Sequence, residues 1–235
     1  MTATAAQRAT LRHEPRRVAL FGGSFDPVHS GHLAVARAAD RRFNFDEVHF
    51  VVASRPPHKL NDRLAPFAHR FAMVALACSE HPHFLPSLAE AHEARSGSRI
   101  FYSVDTVRRF RRLCHGPRDR LFFILGADAF LDLPLWKEYE TLLGLCDFIV
   151  ASRPGIRVQA LRRVIPPELL GKPPGTPPQA ALITRLRRSA VYLLDAVSSG
   201  VSSTDIRRRA HCGQPIHGLV SARVEEYILK QGLYR

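Results

Sequence analysis

The chain predicts an α/β fold built on a mostly parallel, doubly wound sheet with helices on both faces. Three observations carry that prediction. Short apolar runs recur at 18–21, 47–53, 121–125, 147–151 and 191–194, each bounded by polar or glycine-bearing segments. Stretches with helical periodicity separate them. The loops rich in Gly, Ser, His and Arg each follow an apolar run, and a parallel sheet binds its ligands beyond the carboxyl ends of its strands.

In chain order, Val18-Ala19-Leu20-Phe21 reads as a short buried strand. It runs into Gly22-Gly23-Ser24-Phe25-Asp26-Pro27-Val28-His29-Ser30-Gly31-His32 and then into a helix with an apolar stripe at Leu33, Ala36 and Phe43. The glycines leave room for a ligand at the backbone, where a Cβ would clash. A helix start presents unpaired N–H groups and a partial positive charge, which suits phosphate. His29 and His32, three residues apart, share one side of that turn and offer imidazole N–H donors to phosphoryl oxygens. The stretch predicts a polyphosphate cradle.

The second strand, 47–53, empties into Ser54-Arg55-Pro56-Pro57-His58-Lys59, and a helix with a wide apolar face follows over 66–78. Residues 84–87 make a short strand at best, and Ser103 caps a helix over 104–113. Strand 121–125 ends in Gly126-Ala127-Asp128, a short helix covers 136–143, and strand 147–151 ends in Ser152-Arg153-Pro154. The segment 155–188, with three Pro-Pro pairs, reads as a surface insertion within a single domain spanning 17–235. Strand 191–194 resumes the pattern. Ser202-Ser203-Thr204 then caps a helix through Ala210, and a last helix, 219–230, stops at Gly232. Residues 1–16 read as a basic, frayed extension.

Composition excludes several classes. No apolar run approaches the ~18 residues of a membrane span. The net charge of +13 invites a nucleic-acid reading, but 30 of the 34 basic residues are arginines spread along the chain, and Arg108-Arg109-Phe110-Arg111-Arg112 fits a solvated helix face. No nucleic-acid partner is expected. Cys78, Cys114, Cys146 and Cys212 are far apart, so neither a disulfide framework nor a zinc site is expected, and the cytoplasm is the expected compartment. His81-Pro82-His83 lacks further ligands nearby, so no protein-held metal is predicted. There is no P-loop and no G-x-G-x-x-G after the first strand.

The segment from Gly22 to His32 resembles the H-x-G-H signature of the nucleotidyltransferase superfamily, and Ser202-Ser203-Thr204-Asp205-Ile206-Arg207 resembles its second signature, S-x-T/S-x-I-R. Within that superfamily the chain is similar to bacterial nicotinate-nucleotide adenylyltransferases. Pro56-Pro57-His58-Lys59, Tyr102-Ser103-Val104-Asp105-Thr106, Gly126-Ala127-Asp128, Trp136-Lys137-Glu138-Tyr139-Glu140, Ser152-Arg153-Pro154 and the terminal Gly232-Leu233-Tyr234-Arg235 support this. The resemblance implies a Rossmann-like fold, ATP and nicotinate mononucleotide as substrates, Mg²⁺ bound with ATP, and a monomer or small homo-oligomer.

It also implies roles. Gly22, Gly23, Ser24 and Phe25 wrap ATP by backbone contact, and His29, His32 and Arg207 act on the phosphates as catalytic groups. Ser202 and Ser203 join Arg207 on the outer phosphates, Gly126 and Asp128 meet the ribose region, and Arg153 the adenine side. Ser54, His58, Lys59, Thr106, Trp136 and Lys137 enclose the mononucleotide, with the indole stacked on the pyridine and backbone N–H groups on its carboxylate. This chain has Ser24 where the signature commonly has Thr, Ser54-Arg55 where Asn is frequent, and Lys137 where an aromatic residue is common. The alternatives are a sister enzyme for nicotinamide mononucleotide or phosphopantetheine, and a non-catalytic basic nucleotide- or RNA-binding module.

Overall fold

Each expected apolar run becomes a strand. The computed structural model describes residues 14–54, 64–91, 101–114, 116–152, 158–171, 182–194 and 200–235. Its strands are β1 (Arg17–Gly23), β2 (Glu47–Val52), β3 (Phe84–Ser87), β4 (Arg120–Gly126), β5 (Asp147–Ala151), β6 (Leu182–Arg185) and β7 (Ala190–Leu194). They form one sheet in the order β3-β2-β1-β4-β5-β7-β6. Every pairing is parallel except β6 with β7. The chain winds outward from β1 to β3, then returns to lay β4 against the other side of β1. The carboxyl ends of β1 and β4 are therefore the point where the winding reverses, which opens a crevice there.

Side chains of successive strand residues point to opposite faces, and the two faces build two cores. Ala19 and Phe21 of β1 join Phe50, Phe122 and Ile124 on one face. There they meet Leu33 and Ala36 of α1 (Ser30–Phe43), Met73 and Val74 of α2 (Phe67–Cys78), Ile206 of α7 (Ser203–His211), and Val224 and Ile228 of α8 (Ala222–Gln231). On the other face Val18, Leu20, Phe123, Leu125 and Phe148 pack with Val104 and Val107 of α3 (Ser103–Arg111) and Phe130 of α4 (Ala127–Leu131). Leu142 and Leu143 of α5 (Tyr139–Leu145) and Leu161 of α6 (Val158–Arg163) complete that layer. Each fully buried Leu or Phe contributes roughly 2 kcal/mol of transfer free energy.

Several expected boundaries move, each for a local reason. The helix after β1 begins at Ser30, because His29 caps it. Ser103 is the first helical residue of α3 and Tyr102 occupies the cap position. No helix runs from 136 to 143: Leu133–Leu135 is a 3-10 turn, Trp136 is extended, and Glu138 sits in the left-handed region at φ 51° before α5 starts. The last helix starts at Ala222, since the backbone carbonyl of Leu219 accepts instead from Ser30 N–H at 2.9 Å. It does end at Gly232, φ 60°. The segment 155–188 is more than a surface insertion in its described parts, for it supplies α6 and the antiparallel edge strand β6, and buries Leu161, Ile165 and Leu186. Arg16 is also tied in: its backbone N–H donates to Asp119 and its guanidinium to Glu47 at 2.6 Å.

Candidate active site

The turn leaving β1 is shaped by aromatic packing. A Cβ on Gly22 would stand 3.1 Å from the Phe123 ring, and one on Gly23 would stand 2.9 Å from the Phe25 ring. The space the glycines leave is thus needed inside the protein as well as at the ligand face. Phe25 adopts φ 47°, a left-handed conformation unusual for an aromatic residue. That turn drives its ring inward, where it is 1% exposed and meets Phe21 and His32 edge-on. Phe25 can therefore serve a ligand only through its backbone.

His29 and His32 cap α1 reciprocally. His29 N–H donates to Nδ1 of His32 at 3.2 Å, and His32 N–H donates to Nδ1 of His29 at 3.4 Å. The rings stack with centroids 3.7 Å apart. A backbone N–H can only donate, so both Nδ1 atoms accept and each neutral ring carries its proton on Nε2. Burial, and then the charge of His29, hold the His32 pKa well below 6.5. His32 is therefore a neutral N–H donor at pH 7, held by the same contacts that begin the helix.

The second signature docks onto the first. Ser202 Oγ accepts from Asp205 N–H at 3.1 Å and caps α7. Ser203 Oγ donates to the carbonyl of Pro27 at 3.0 Å, and Arg207 donates to the carbonyl of Asp26 at 2.7 Å. Two helix starts, α1 and α7, thus meet on either side of Asp26-Pro27, and both offer N-terminal ends to the same region. Asp26 is 1% exposed. Its Oδ1 accepts from the Tyr234 hydroxyl at 2.7 Å and from Ala65 N–H at 3.2 Å, while Arg207 stands 3.7 Å from Oδ2.

A buried arginine joins the loops at the sheet's carboxyl edge. Arg70 of α2, 2% exposed, donates to the carbonyls of Ala65 (2.8 Å), Ser24 (2.8 Å), Ala53 (2.7 Å) and Ser54 (3.1 Å). Burial draws its pKa down and the charge of Asp26 pushes it back up. Since Ser24 follows β1 and Ala53-Ser54 follow β2, one guanidinium sets the spacing between two ligand-facing loops.

Between those loops and α3 lies a cavity of about 500 Å³. Gly22, Gly23 and Ser24 line it, as do Gly126 of β4, Thr106 of α3, and Trp136 and Lys137 of the turn before α5. Trp136 packs on Phe123 at 6.3 Å between ring centroids. Glu90, 8% exposed, also lines the cavity; its Oε1 accepts from the Thr106 hydroxyl at 2.9 Å, and its carboxyl accepts from the backbone N–H of Ser54. Burial raises the Glu90 pKa, and those two hydrogen bonds oppose the rise.

Of the residues expected at the site, Gly22, Gly23, Ser24, Thr106, Gly126, Trp136 and Lys137 come together on the cavity. His29, His32, Ser202, Ser203 and Arg207 gather around Asp26-Pro27, with Phe25 between the glycine turn and His32. Ser54 reaches the site through its backbone bonds to Glu90 and Arg70. Asp128 is exposed on α4 and is not among the cavity-lining residues. His58, Lys59 and Arg153 lie outside the described residues. Sequence reasoning missed Arg70, Glu90 and the contribution of Asp26. Arg70 had a legible signal, since it shares the buried stripe of α2 with Met73, Val74 and Ala77. Glu90 precedes no periodic segment and carried none.

Residues 20–209 match the family model described as cytidylyltransferase-like. The chain is 40% identical over 221 residues to a probable nicotinate-nucleotide adenylyltransferase of Moorella thermoacetica, covering 94% of this chain and 93% of that protein. A protein of the same description from Thermus thermophilus is 40% identical over 219 residues, covering 93% of this chain and 100% of its own length. Among solved structures, nicotinic acid mononucleotide adenylyltransferase of Plasmodium falciparum superposes with a TM-score of 0.65, both complexed with APC and complexed with NaAD. Those superpositions cover 93% of this chain and 97% of the other at 18% and 19% identity, a likeness of fold.

Proposed function

Because the chain belongs to the cytidylyltransferase-like family, and within it to the nicotinate-nucleotide adenylyltransferases, we propose that it transfers the adenylyl group of ATP to nicotinate mononucleotide, giving deamido-NAD and pyrophosphate. The observation that carries this reading is the seam at Asp26-Pro27. It brings α1 and α7 together, and the glycine turn that leads into it lines the same cavity as Trp136.

A phosphate oxygen of the mononucleotide attacks the α-phosphorus of ATP, and the bond from that phosphorus to the bridging oxygen of the β-phosphate breaks. A phosphate monoester is mostly ionised at pH 7, with a second pKa of about 6, so no protein base is needed. The demands on the chain are alignment of two anions and stabilisation of charge on the departing pyrophosphate. Mg²⁺ bound with ATP would be carried mainly by the substrate and would neutralise charge on its phosphates; among the described residues no three His, Cys, Asp or Glu side chains gather into a cage.

Each residue then has a stated task. The Nε2–H groups of His29 and His32 donate to phosphate oxygens, with His32 serving the transition state. Its neutrality matters because an imidazolium would need to donate from Nδ1, which already accepts from a backbone N–H. Gly22 to Phe25 follow the nucleotide by backbone contact. Ser203 acts mainly as a builder, since its hydroxyl proton is donated to Pro27, whereas Ser202, whose Oγ accepts in the cap, keeps its O–H for an outer phosphate oxygen. Arg207, with its side chain 32% exposed, adds positive charge at the outer phosphates. Trp136 offers the pyridine a stacking face, Thr106 and Ser54 frame that end with Lys137, and Gly126 lies at the ribose side. Asp128, Arg153, His58 and Lys59 keep the tasks implied by the resemblance. The free thiols Cys78, Cys114, Cys146 and Cys212 suit a reducing compartment, and we place the reaction in the cytoplasm.

The deciding experiment is pyrophosphate release from ATP and Mg²⁺ with nicotinate or nicotinamide mononucleotide as acceptor. Release with the acid is expected. Silence with both acceptors removes the assignment.

A further inference from the structure

One oxygen of the seam is left over. Asp26 Oδ2 is buried without a hydrogen-bond partner among the described residues, while Oδ1 of the same carboxylate accepts from Tyr234 and Ala65. A buried carboxylate oxygen in that state is costly unless a cation stands close. Here the cation is Arg207, whose Nη1 lies 3.7 Å from Oδ2, beyond hydrogen-bond reach. Nη1 donates instead to the backbone carbonyl of Asp26 at 2.7 Å, and Nη2 to Thr204 Oγ1 at 3.3 Å. Attraction to Oδ2 thus steers the guanidinium without engaging its protons. A guanidinium has N–H donors beyond those two bonds, and among the described residues they stay open to phosphate oxygens. Arg70 also lies in the field of Asp26, so the carboxylate is not left for Arg207 alone to neutralise.

What fixes that carboxylate is the segment after α8. The helix stops at Gly232, φ 60°, and Tyr234 takes φ 67° two residues later. An aromatic residue in the left-handed region is strained, and it stays there only where its surroundings hold it. Leu233 supplies part of that hold, through its N–H to the carbonyl of Ile228 at 3.0 Å and its packing on the core shared by α1 and α8. The half-buried Tyr234 ring packs on the same core, and its hydroxyl donates to Asp26 Oδ1 at 2.7 Å. Burial, and then the charge of Asp26, raise the pKa of the phenol, so it remains a donor at neutral pH. With Oδ1 pinned by Tyr234 and by Ala65 N–H, the carboxylate resists rotation and Oδ2 keeps its aim at Arg207.

We propose that Asp26 and Tyr234 are positioning residues for adenylyl transfer: Tyr234 fixes the Asp26 carboxylate, and Asp26 holds the Arg207 guanidinium ready for the outer phosphates of ATP. The assignment rests on the function proposed above and extends it to residues that act through another side chain. Charge on the outer phosphates grows as the bond to the α-phosphorus breaks, so a donor already in place acts most in the transition state. The effect therefore falls on kcat and on the hold on pyrophosphate. Acceptor binding is spared, since neither Asp26 nor Tyr234 is among the cavity-lining residues.

The test uses wild type, Tyr234→Phe, Asp26→Asn, Arg207→Ala and the two double variants that carry Arg207→Ala. Each is shown folded by a thermal melt, then read for kcat, for the KM of nicotinate mononucleotide and for inhibition by pyrophosphate. Asp26→Asn keeps an acceptor for Tyr234 and Ala65 but turns an amide N–H toward Arg207, donor against donor. It should lower kcat by on the order of 10²-fold, the scale of a misplacement of about 1 Å. Tyr234→Phe should lower kcat by about 10-fold, as for a lost hydrogen bond to a charged group. Both should weaken inhibition by pyrophosphate and leave the KM of the mononucleotide nearly unchanged. Because both act through Arg207, neither should lower kcat further once Arg207 is alanine. Losses that multiply in the double variants overturn the inference, and so does wild-type kcat in folded Tyr234→Phe or in Arg207→Ala. A rise in the KM of the mononucleotide to match the fall in kcat overturns it too, as general damage to the site. Should Asp26→Asn not fold, Tyr234→Phe and its double variant decide by the same criteria. If wild type releases no pyrophosphate with either mononucleotide, the proposed function falls and this inference with it. If wild type is active and Arg207→Ala loses kcat, multiplying losses refute the roles of Asp26 and Tyr234 alone.

Discussion

Replacing Arg70 by methionine removes four hydrogen bonds, to Ala65, Ser24, Ala53 and Ser54, from a site that is 2% exposed. It also takes away a buried cation that stands in the field of the Asp26 carboxylate, itself 1% exposed. Truncating one partner of a buried charged pair costs about 3–5 kcal/mol, because the remaining polar groups lose both partner and water. Some of the freed carbonyls lie at the cavity rim and can rehydrate, which places the expected loss toward the lower end. Against a total stability of about 5–15 kcal/mol that is severe. For a chain of this size it lowers Tm by roughly 6–20 °C. Arg70→Lys is the sharper variant. It keeps the charge but replaces a planar fork with a point donor, so it cannot hold Ser24 and the Ala53-Ser54 loop at once. Its Tm should fall only a few degrees, while kcat falls by about 10²-fold, the scale on which a misplacement near 1 Å acts. Thermal melting and steady-state kinetics, run well below the melting range, separate the two effects. Wild-type kcat in a folded Arg70→Lys protein would refute the view that this guanidinium aligns the two loops.

Three further outcomes follow from the seam around Asp26. His32→Ala should lower kcat by on the order of 10²–10³-fold, like loss of a preorganised donor to a developing anion. The lowered His32 pKa also sets a pH signature. Between that value and 6.5 the unfolded chain binds a proton that the folded chain refuses, so this group's contribution to stability rises with pH and is flat above 6.5. The Tm advantage of wild type over His32→Ala should therefore shrink as pH falls from 7 to 5; a constant difference in paired melts would contradict it. Tyr234→Phe removes the hydroxyl bond to Asp26 Oδ1 at 2.7 Å and should cost about 1–3 kcal/mol. Differential scanning measurements read this as a lower Tm, and an unchanged melt would mean that the tail does not anchor the loop.

Much of the fold was legible because its signals are local. The run 121–125 and its neighbours are apolar on both faces, as interior parallel strands must be, and they all appear in the sheet. Ser202 was readable as a cap from its hydroxyl and position alone. The stretch 136–143 misled because Trp136 and Tyr139 look like a helical face, whereas Glu138 at φ 51° breaks the chain there and frees Trp136 for the cavity wall. The segment 155–188 misled because its Pro-Pro pairs mark loops, yet α6 and β6 sit among them.

Local periodicity, loops placed after strands and the two signature segments were enough, by themselves, to determine the fold class, the family resemblance and most of the candidate site residues. Only the folded chain decided what those residues do to one another. It turned Phe25 inward, committed the Thr106 hydroxyl to Glu90, and hung two loops on Arg70. The reason is range. Strand and helix patterns are written in neighbours a few residues apart, but Asp26 meets Tyr234 across 208 positions. No periodicity in the sequence records a partner at that distance; packing at the sheet's carboxyl edge selects it.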